Sequence, residues 1–252
     1  METIQATLQK ADQLRAQINQ CRPLPKEALE KIQQALEVEY TYDSNRIEGN
    51  TLTLQETALV VNEGVTISGK SMREHLEAVN HAQAIEFIKE VAAGKVEITE
   101  RLIKELHALV LHGINKEEAG KYRNVPVMIV GSRHVPPQPY MIVPLMEQFI
   151  RNYEDMESNH VHPILIAAFL HNELVKIHPF IDGNGRTSRL LMNLYLLAHG
   201  YTIANIKGDN ESKILYYKAL ETSHTEDNRE LFNQLVADEV VKALERYLEI
   251  LS

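Results

Sequence analysis

The strongest constraint on the fold is a twelve-residue segment, His-Pro-Phe-Ile-Asp-Gly-Asn-Gly-Arg-Thr-Ser-Arg at 178–189, that joins two predicted helices. The first helix, residues 163–177, begins with a proline, which favours the first position of a helix. The second helix, about residues 186–199, is followed by Gly200, a residue type common at helix C-termini. The chain must therefore place a short, glycine-containing loop directly ahead of a helix N-terminus.

The charges of this loop are unusual for that position. Arg186 and Arg189 lie in or near the first turn of the second helix, where the helix dipole disfavours cations, and Asp182 is the acid close by. Such a concentration of positive charge indicates that an anion normally binds there. Gly183 and Gly185 lack side chains, so backbone N–H groups can approach the anion closely. Phosphate is the anion that this pattern favours.

Asp182 and His178 add chemistry to the predicted phosphate site. A carboxylate beside phosphates is typical of Mg²⁺ held mainly by phosphate oxygens and one protein acid. His178, four residues earlier, has a side chain suited to accepting a proton near neutral pH. Taken one by one, these residues fit a simple turn with surface ion pairs. Taken together at this spacing, they indicate transfer from a nucleoside triphosphate to a hydroxyl group.

The twelve residues match in full the signature of the Fic family, HPFx-acid-GNGRxxR, and the chain therefore resembles Fic enzymes. Most of these enzymes transfer AMP from ATP to a Ser, Thr or Tyr hydroxyl of a target protein and release pyrophosphate. The resemblance implies that His178 deprotonates the hydroxyl and that Asp182 binds Mg²⁺. Glycine at position 185 argues against the variant subgroup that phosphorylates its target and carries lysine there.

The resemblance also assigns the nucleotide-binding residues. Asn184 and the neighbouring backbone are expected to form an anion hole, and Arg189 to position the γ-phosphate. Tyr217, one of two adjacent tyrosines on a later predicted helix, is expected to pack against adenine. Relatives often carry an asparagine that contacts the base one or two turns later, but this chain has Ser223 and His224 there, which leaves the choice of nucleotide base open. The full nucleotide-binding set is Gly183, Asn184, Gly185, Arg186, Arg189 and Tyr217, with His178, Asn184 and Arg186 as catalytic residues.

A second motif, Ser-Asn-Arg-Ile-Glu-Gly-Asn at 44–50, closes a predicted helix that begins near Pro25. Gly49 is a suitable C-cap, which places Glu48 in the last turn, where the helix dipole disfavours a carboxylate. From spacing alone, Glu48 is an exposed acid. The resemblance implies instead the inhibitory motif Ser/Thr-x-x-x-Glu-Gly/Asn, formed by Ser44, Glu48 and Gly49. Glu48 would then reach Arg189 and occupy the γ-phosphate position, as in the Fic subgroup with an N-terminal inhibitory helix.

Residues 124–137 (NVPVMIVGSRHVPP) are the main exception to the helical pattern. Their β-branched run, Gly-Ser pair and prolines predict a short β-hairpin. On pattern alone this is a surface hairpin without a role. In Fic proteins the corresponding hairpin is a flap on which the target protein adds a strand, so the resemblance predicts docking of a protein partner there.

Composition sets the outer limits. A net charge of −9 argues against a nucleic-acid-binding surface, and no apolar run is long enough to span a membrane. The single cysteine, Cys21, in a predicted inter-helix loop, fits a cytoplasmic location. The histidines lack the spacing of a zinc site. Helical periodicity covers the following ranges: 3–20, 25–48, 53–63, 70–92, 99–113, 141–157, 163–177, 186–199, 211–224 and 229–250.

We therefore expect an all-α Fic-type helical bundle with a β-hairpin flap. Residues 1–40 form a helical extension, which either braces the inhibitory helix or helps to form a homodimer, and residues 41–252 form the Fic domain. The expected function is an autoinhibited protein adenylyltransferase that uses ATP and Mg²⁺. A de-AMPylase, a transferase for another nucleotide and a non-catalytic nucleotide-dependent regulator remain as alternatives.

Overall fold

The computed structural model describes residues 3–20, 26–94 and 96–251, and Cys21 lies outside these ranges. All ten predicted helices are confirmed in this part of the chain, with ends shifted by three residues or fewer. They are α1 (Ile4–Gln20), α2 (Lys26–Ile47), α3 (Leu54–Glu63), α4 (Met72–Ala92), α5 (Glu100–Val110), α6 (Ile142–Ser158), α7 (Pro163–Ile177), α8 (Asn184–Ala198), α9 (Asn210–Glu226) and α10 (Glu230–Leu251), with a short 3₁₀ turn at Pro139–Met141.

The helices α7 and α8 pack against each other at the centre of the bundle. The sequence of α7 (PILIAAFLHNELVKI) is apolar on almost every face, and a helix of this kind is stable only when it is surrounded by other helices. Accordingly, α10, α6 and α9 cover α7, while α4 and α5 cover α8. The loop that joins the two central helices is thereby held at the end of the bundle on a rigid base.

The helix α8 begins at Asn184, two residues earlier than predicted. Gly183 is its N-cap and has a backbone φ of 78°, in the left-handed region that glycine adopts without strain. Because glycine has no side chain, it offers no oxygen to the first N–H groups of the helix. These groups have no partner within a helix by construction. The loop therefore ends in an uncapped helix N-terminus.

The N-terminal helices approach the loop from one side. The helix α1 packs against α10, where Gln234 Nε2 donates a hydrogen bond to Thr7 Oγ1 over 2.9 Å. The helix α2 runs without interruption across residue 40 and packs on α3 and α4. Its C-terminal end thereby reaches residues 178–189, which we call the catalytic loop after their predicted role. In the described ranges, no helix combines the length and the apolar character needed to cross a lipid bilayer.

The β-hairpin predicted for residues 124–137 is not present. The segment reverses at a turn in which Ser132 N–H donates to the Ile129 carbonyl over 3.2 Å, but no ladder of backbone hydrogen bonds joins its two arms in this fully described segment. Three prolines of the segment (126, 136 and 137) lack an N–H group, and an isolated two-stranded hairpin is marginally stable in water. Its backbone is therefore unpaired along most of its length.

Candidate functional site

His178 is the C-cap residue of α7 and the first residue of the loop. Its Nδ1 lies 3.3 Å from the Val175 carbonyl oxygen. Because a carbonyl can only accept, Nδ1 carries the proton in this contact and Nε2 is left as an acceptor. Burial, reinforced by the positive charge of Arg123, lowers the pKa of His178. The side chain is therefore neutral near pH 7 and able to take up a proton at Nε2.

Arg123 fixes the backbone of the loop and is a residue that the sequence analysis missed. Its guanidinium is buried and donates to the carbonyls of His178 (2.8 Å), Val125 (2.9 Å) and Pro137 (2.6 Å). Its own N–H donates to the Pro179 carbonyl over 2.9 Å. One arginine thus ties the start of the catalytic loop to both arms of the 124–137 segment. Nothing in the local sequence distinguishes it from a surface arginine.

His107, on α5, binds the loop through a hydrogen bond and a ring contact. The sequence analysis did not predict this role. Its Nδ1 accepts the Gly120 N–H over 2.9 Å, so its Nε2 carries the proton and donates to the Asp182 carbonyl over 2.9 Å. The ring stacks on Phe180 at a centroid distance of 3.6 Å. Burial lowers the pKa of His107 to about 4, so the ring is neutral and this tautomer is fixed.

Asn184 is buried, and both ends of its amide hold the loop. Its Nδ2 donates to the Phe180 carbonyl over 2.9 Å, and its Oδ1 accepts the Phe180 N–H over 3.0 Å. The side chain therefore shapes the loop, whereas the uncapped N–H groups that follow Gly183 are the donors available to an anion.

Arg186 lies beside this helix N-terminus, and its side chain is only 2% exposed. Its Nη2 is 3.3 Å from Asp182 Oδ1, and its Nη1 is 3.2 Å from Glu77 Oε1 without good hydrogen-bond geometry. Its Nε has no hydrogen-bond partner among the described residues. A buried guanidinium with an unpaired donor is costly unless a further acceptor, an anion or a water molecule, completes its hydrogen bonds.

Asp182 presents its carboxylate at the edge of the loop. Its Oδ1 accepts the Gly183 N–H over 2.6 Å, and its Oδ2 accepts from Arg73. Burial alone would raise the pKa of Asp182, but Arg186, Gly183 and Arg73 outweigh it and the pKa is lowered. An ionised carboxylate that is partly open to solvent fits Mg²⁺, which needs few protein ligands when phosphates and water supply the rest.

Arg189 is buried and is held by the end of α2. Its Nε donates to Ser44 Oγ (3.0 Å), and its Nη2 donates both to the Ser44 carbonyl (2.9 Å) and to Glu48 Oε1 (2.7 Å). Burial opposes the charge of Arg189, but Glu48 outweighs it and the pKa of the arginine is raised. The three residues that the resemblance linked, Ser44, Glu48 and Arg189, are therefore in direct contact.

The side chain of Glu48 packs closely against the backbone of Gly185. The helix α2 ends at Ile47, one residue before the predicted end, and Gly49 continues the chain at a φ of 97°. A Cβ atom added at Gly185 would lie 2.3 Å from Glu48 Oε1 and 3.1 Å from Arg189 Nη1. The carboxylate of Glu48 therefore lies directly over the first turn of α8, where an anion would bind.

The adjacent tyrosines of α9 have different environments. Tyr216 is buried, and its hydroxyl accepts from Arg189 Nη1 (3.3 Å) and lies 3.1 Å from His171 Nε2. Tyr217 is half-exposed, and its hydroxyl donates to the Ile47 carbonyl over 2.9 Å. Tyr217, the predicted base-packing residue, is thus on the surface beside the end of α2, where it also holds the segment that carries Glu48.

This geometry defines a helical protein that places buried arginines beside the uncapped N-terminus of its central helix. The comparison with known families agrees, since residues 97–196 match the Fic/DOC family. The sequence is 39% identical over 221 residues to a protein adenylyltransferase Fic from Drosophila persimilis, an alignment that covers 88% of this chain and 42% of the relative. The chain thus spans less than half the length of that relative.

Solved structures show the same relationship. A variant fragment of Fic-1 from C. elegans has a TM-score of 0.86 and 30% identity, with 98% of this chain and 72% of that chain covered. A Fic domain containing signaling protein from Bacteroides thetaiotaomicron has a TM-score of 0.84 and 26% identity, with 99% and 97% covered. The chain belongs to the Fic/DOC family.

Proposed function

We propose that this chain is a protein adenylyltransferase that moves AMP from ATP to a Ser, Thr or Tyr hydroxyl of a target protein. The observation that carries the proposal is the buried Arg186 with its unpaired Nε, beside an uncapped helix N-terminus. Both features favour binding of a phosphate, and His178, at the start of the same loop, supplies a neutral base. The similarity to Drosophila protein adenylyltransferases supports the same reaction.

In the proposed reaction, the target hydroxyl oxygen attacks the α-phosphorus of ATP. The bond from that phosphorus to the oxygen that bridges to the β-phosphate breaks, and pyrophosphate leaves with this oxygen. His178 Nε2 takes the proton of the attacking hydroxyl. Arg186 and the backbone N–H groups at the start of α8 stabilise the negative charge on the phosphates. Asp182 would hold Mg²⁺, which neutralises charge on the phosphate oxygens.

Glu48 is proposed to keep the enzyme inactive by binding the arginine that would otherwise hold the γ-phosphate. Its contact with Arg189 is a charge-assisted hydrogen bond of 2.7 Å to a fully buried guanidinium. An interaction of this type is worth on the order of 1–3 kcal/mol, which favours the closed state about ten- to hundredfold. Loss of Glu48 should therefore raise AMP transfer by a similar factor.

The test is the intact mass of purified protein after incubation with ATP and Mg²⁺, with self-modification as the readout. Three variants are compared with the unaltered protein: Glu48→Gly, Glu48→Gln, and Glu48→Gly combined with His178→Ala. We expect Glu48→Gly to gain the mass of AMP and the double variant to gain none. Glu48→Gln keeps the shape but loses the charge, so it should gain AMP more slowly than Glu48→Gly.

Each other outcome contradicts a defined part of the proposal. A gain of phosphate in place of AMP would make the chain a phosphotransferase. A gain that persists without His178 would exclude this residue as the base. Equal modification with and without Glu48 would exclude autoinhibition by this residue.

The target protein is proposed to dock on residues 124–137 by adding a strand to their backbone. The side chains of Met128 and Val130 are 88% and 100% exposed, and the backbone beside them is unpaired. The segment is nevertheless anchored, at its base by Arg123 and near its turn by Glu221, which accepts from Ser132 Oγ and from Arg133 N–H. An anchored, unpaired edge is what strand addition requires.

A further inference from the structure

The helix α4 brings two charged side chains, Arg73 and Glu77, against the catalytic loop. They are four residues apart, so they share one helix face, and Arg73 Nε donates to Glu77 Oε1 over 3.1 Å. The other end of the same guanidinium, Nη2, donates to Asp182 Oδ2. Arg73 lies outside both sequence motifs, yet it binds the carboxylate to which the proposed function assigns the metal.

We propose that the guanidinium of Arg73 competes with a divalent cation for the carboxylate of Asp182. This guanidinium binds the Asp182 carboxylate and would have to leave it for a divalent cation to bind there. Arg73 thereby weakens the binding of a free metal ion at Asp182. A metal ion that arrives bound to a nucleotide can still displace it. This inference rests on the proposed role of Asp182 as a metal ligand.

The balance of charge around Asp182 supports this inference. Two carboxylates, Asp182 and Glu77, face two guanidiniums, Arg73 and Arg186, so the cluster is neutral without any metal. A divalent cation at Asp182 would place two further positive charges beside the same carboxylate that Arg73 binds. Like charges at such a separation repel strongly when they are partly shielded from water. One of the two arginines must therefore move.

Exposure decides which arginine moves. The side chain of Arg186 is 2% exposed and enclosed between α4 and the loop, whereas that of Arg73 is 57% exposed. Arg73 can turn into solvent with little loss, because an ion pair between exposed side chains contributes little to stability. The contact is therefore strong enough to compete with a weakly held metal and weak enough to yield to a metal–nucleotide complex.

Displacement of Arg73 leaves the inhibitory segment in place. Glu77 Oε2 accepts from Asn50 Nδ2 over 3.0 Å, and the Glu77 carbonyl accepts from Asn45 Nδ2 over 3.2 Å. These bonds hold residues 44–50 on α4 without any contribution from Arg73. Metal loading and release of Glu48 are thus separate events, and they can be tested separately.

The test measures ATP binding by calorimetry, once with excess Mn²⁺ and once with EDTA, in the His178→Ala background to prevent turnover. The ratio of the ATP affinity with Mn²⁺ to the ATP affinity with EDTA isolates the contribution of the metal. We expect Arg73→Ala to raise this ratio about three- to fivefold, the range of an exposed ion pair, and Arg73→Lys to raise it less. The matched control is Arg101→Ala, which removes an exposed arginine with the same four-residue pairing to Glu105 on α5.

An unchanged ratio in Arg73→Ala, or a change of the same size in Arg101→Ala, would overturn the inference. A lower ratio would also overturn it, because Arg73 would then assist the metal–nucleotide complex. Asp182→Asn separates this failure from a failure of the proposed function. If the ratio is high in the unaltered protein and persists in Asp182→Asn, the metal is not bound by Asp182, and the metal assignment itself is wrong.

Discussion

Replacement of His107 by phenylalanine should destabilise the fold in a manner that depends on pH. Phenylalanine keeps the stacking on Phe180 but can neither accept the Gly120 N–H nor donate to the Asp182 carbonyl. An unpaired buried polar group costs about 1–3 kcal/mol. We therefore expect His107→Phe to lower the free energy of unfolding by about 2–4 kcal/mol at neutral pH.

The pH dependence follows from the pKa of His107, which is about 4 in the folded protein against a reference value of 6.5. Between these values the unfolded chain binds a proton at this residue and the folded chain does not, so stability falls as the pH falls. At about pH 5 this linkage removes about 2 kcal/mol from the unaltered protein, relative to about pH 7.5. Phenylalanine does not titrate. The stability difference between the two proteins should therefore shrink by about 2 kcal/mol at the lower pH.

Urea unfolding followed by far-ultraviolet circular dichroism at both pH values measures this difference. The matched control is Thr99→Ala, which removes the N-cap of the same helix, where Thr99 Oγ1 accepts the Leu102 N–H over 3.2 Å. The control removes no titratable group, so it should cost about 1 kcal/mol at both pH values. A stability difference for His107→Phe that is equal at both pH values would refute the claim that His107 is buried and neutral.

Two further predictions concern the two surfaces beside the loop. Tyr217→Phe removes the hydrogen bond to the Ile47 carbonyl, which is worth about 1 kcal/mol. AMP transfer in self-modification assays should therefore rise about fivefold. An unchanged rate would show that this bond does not hold Glu48 in place. Met128→Pro removes a backbone N–H from the proposed docking edge, so labelling of lysate proteins by the Glu48→Gly enzyme should fall, whereas Met128→Ala should not reduce it. Equal labelling by both Met128 variants would argue against strand addition.

The helices and the catalytic loop could be predicted because their determinants are local. Proline at the start of α7 and the apolar periodicity on either side of the loop specify helices without reference to the rest of the chain. The contact of Glu48 with Arg189 spans 141 positions, and spacing alone gave no indication of it. It was anticipated through the family resemblance, which carries information about tertiary contacts that one sequence does not contain.

The supporting residues could not be predicted because their roles depend on tertiary packing. Arg123 and His107 bind backbone groups of distant segments, and a backbone carbonyl leaves no mark in a sequence. Arg73 resembles any helix-surface arginine until α4 is placed against the loop. The predicted hairpin failed for a related reason, since β-branched residues favour a strand but do not provide a neighbouring strand with which to pair.

The backbone of His178 has a consequence for how this loop can change by mutation. This residue ends α7 at a φ of 52°, in the left-handed region that costs a non-glycine residue about 1 kcal/mol or more. Folding alone would favour glycine or asparagine at this position, so the proposed base is kept at the expense of stability. Substitution by glycine would abolish the base and relax the backbone in one step. Inactive descendants of such a chain can therefore be more stable than the active form, and their loss of activity would leave no trace in the fold.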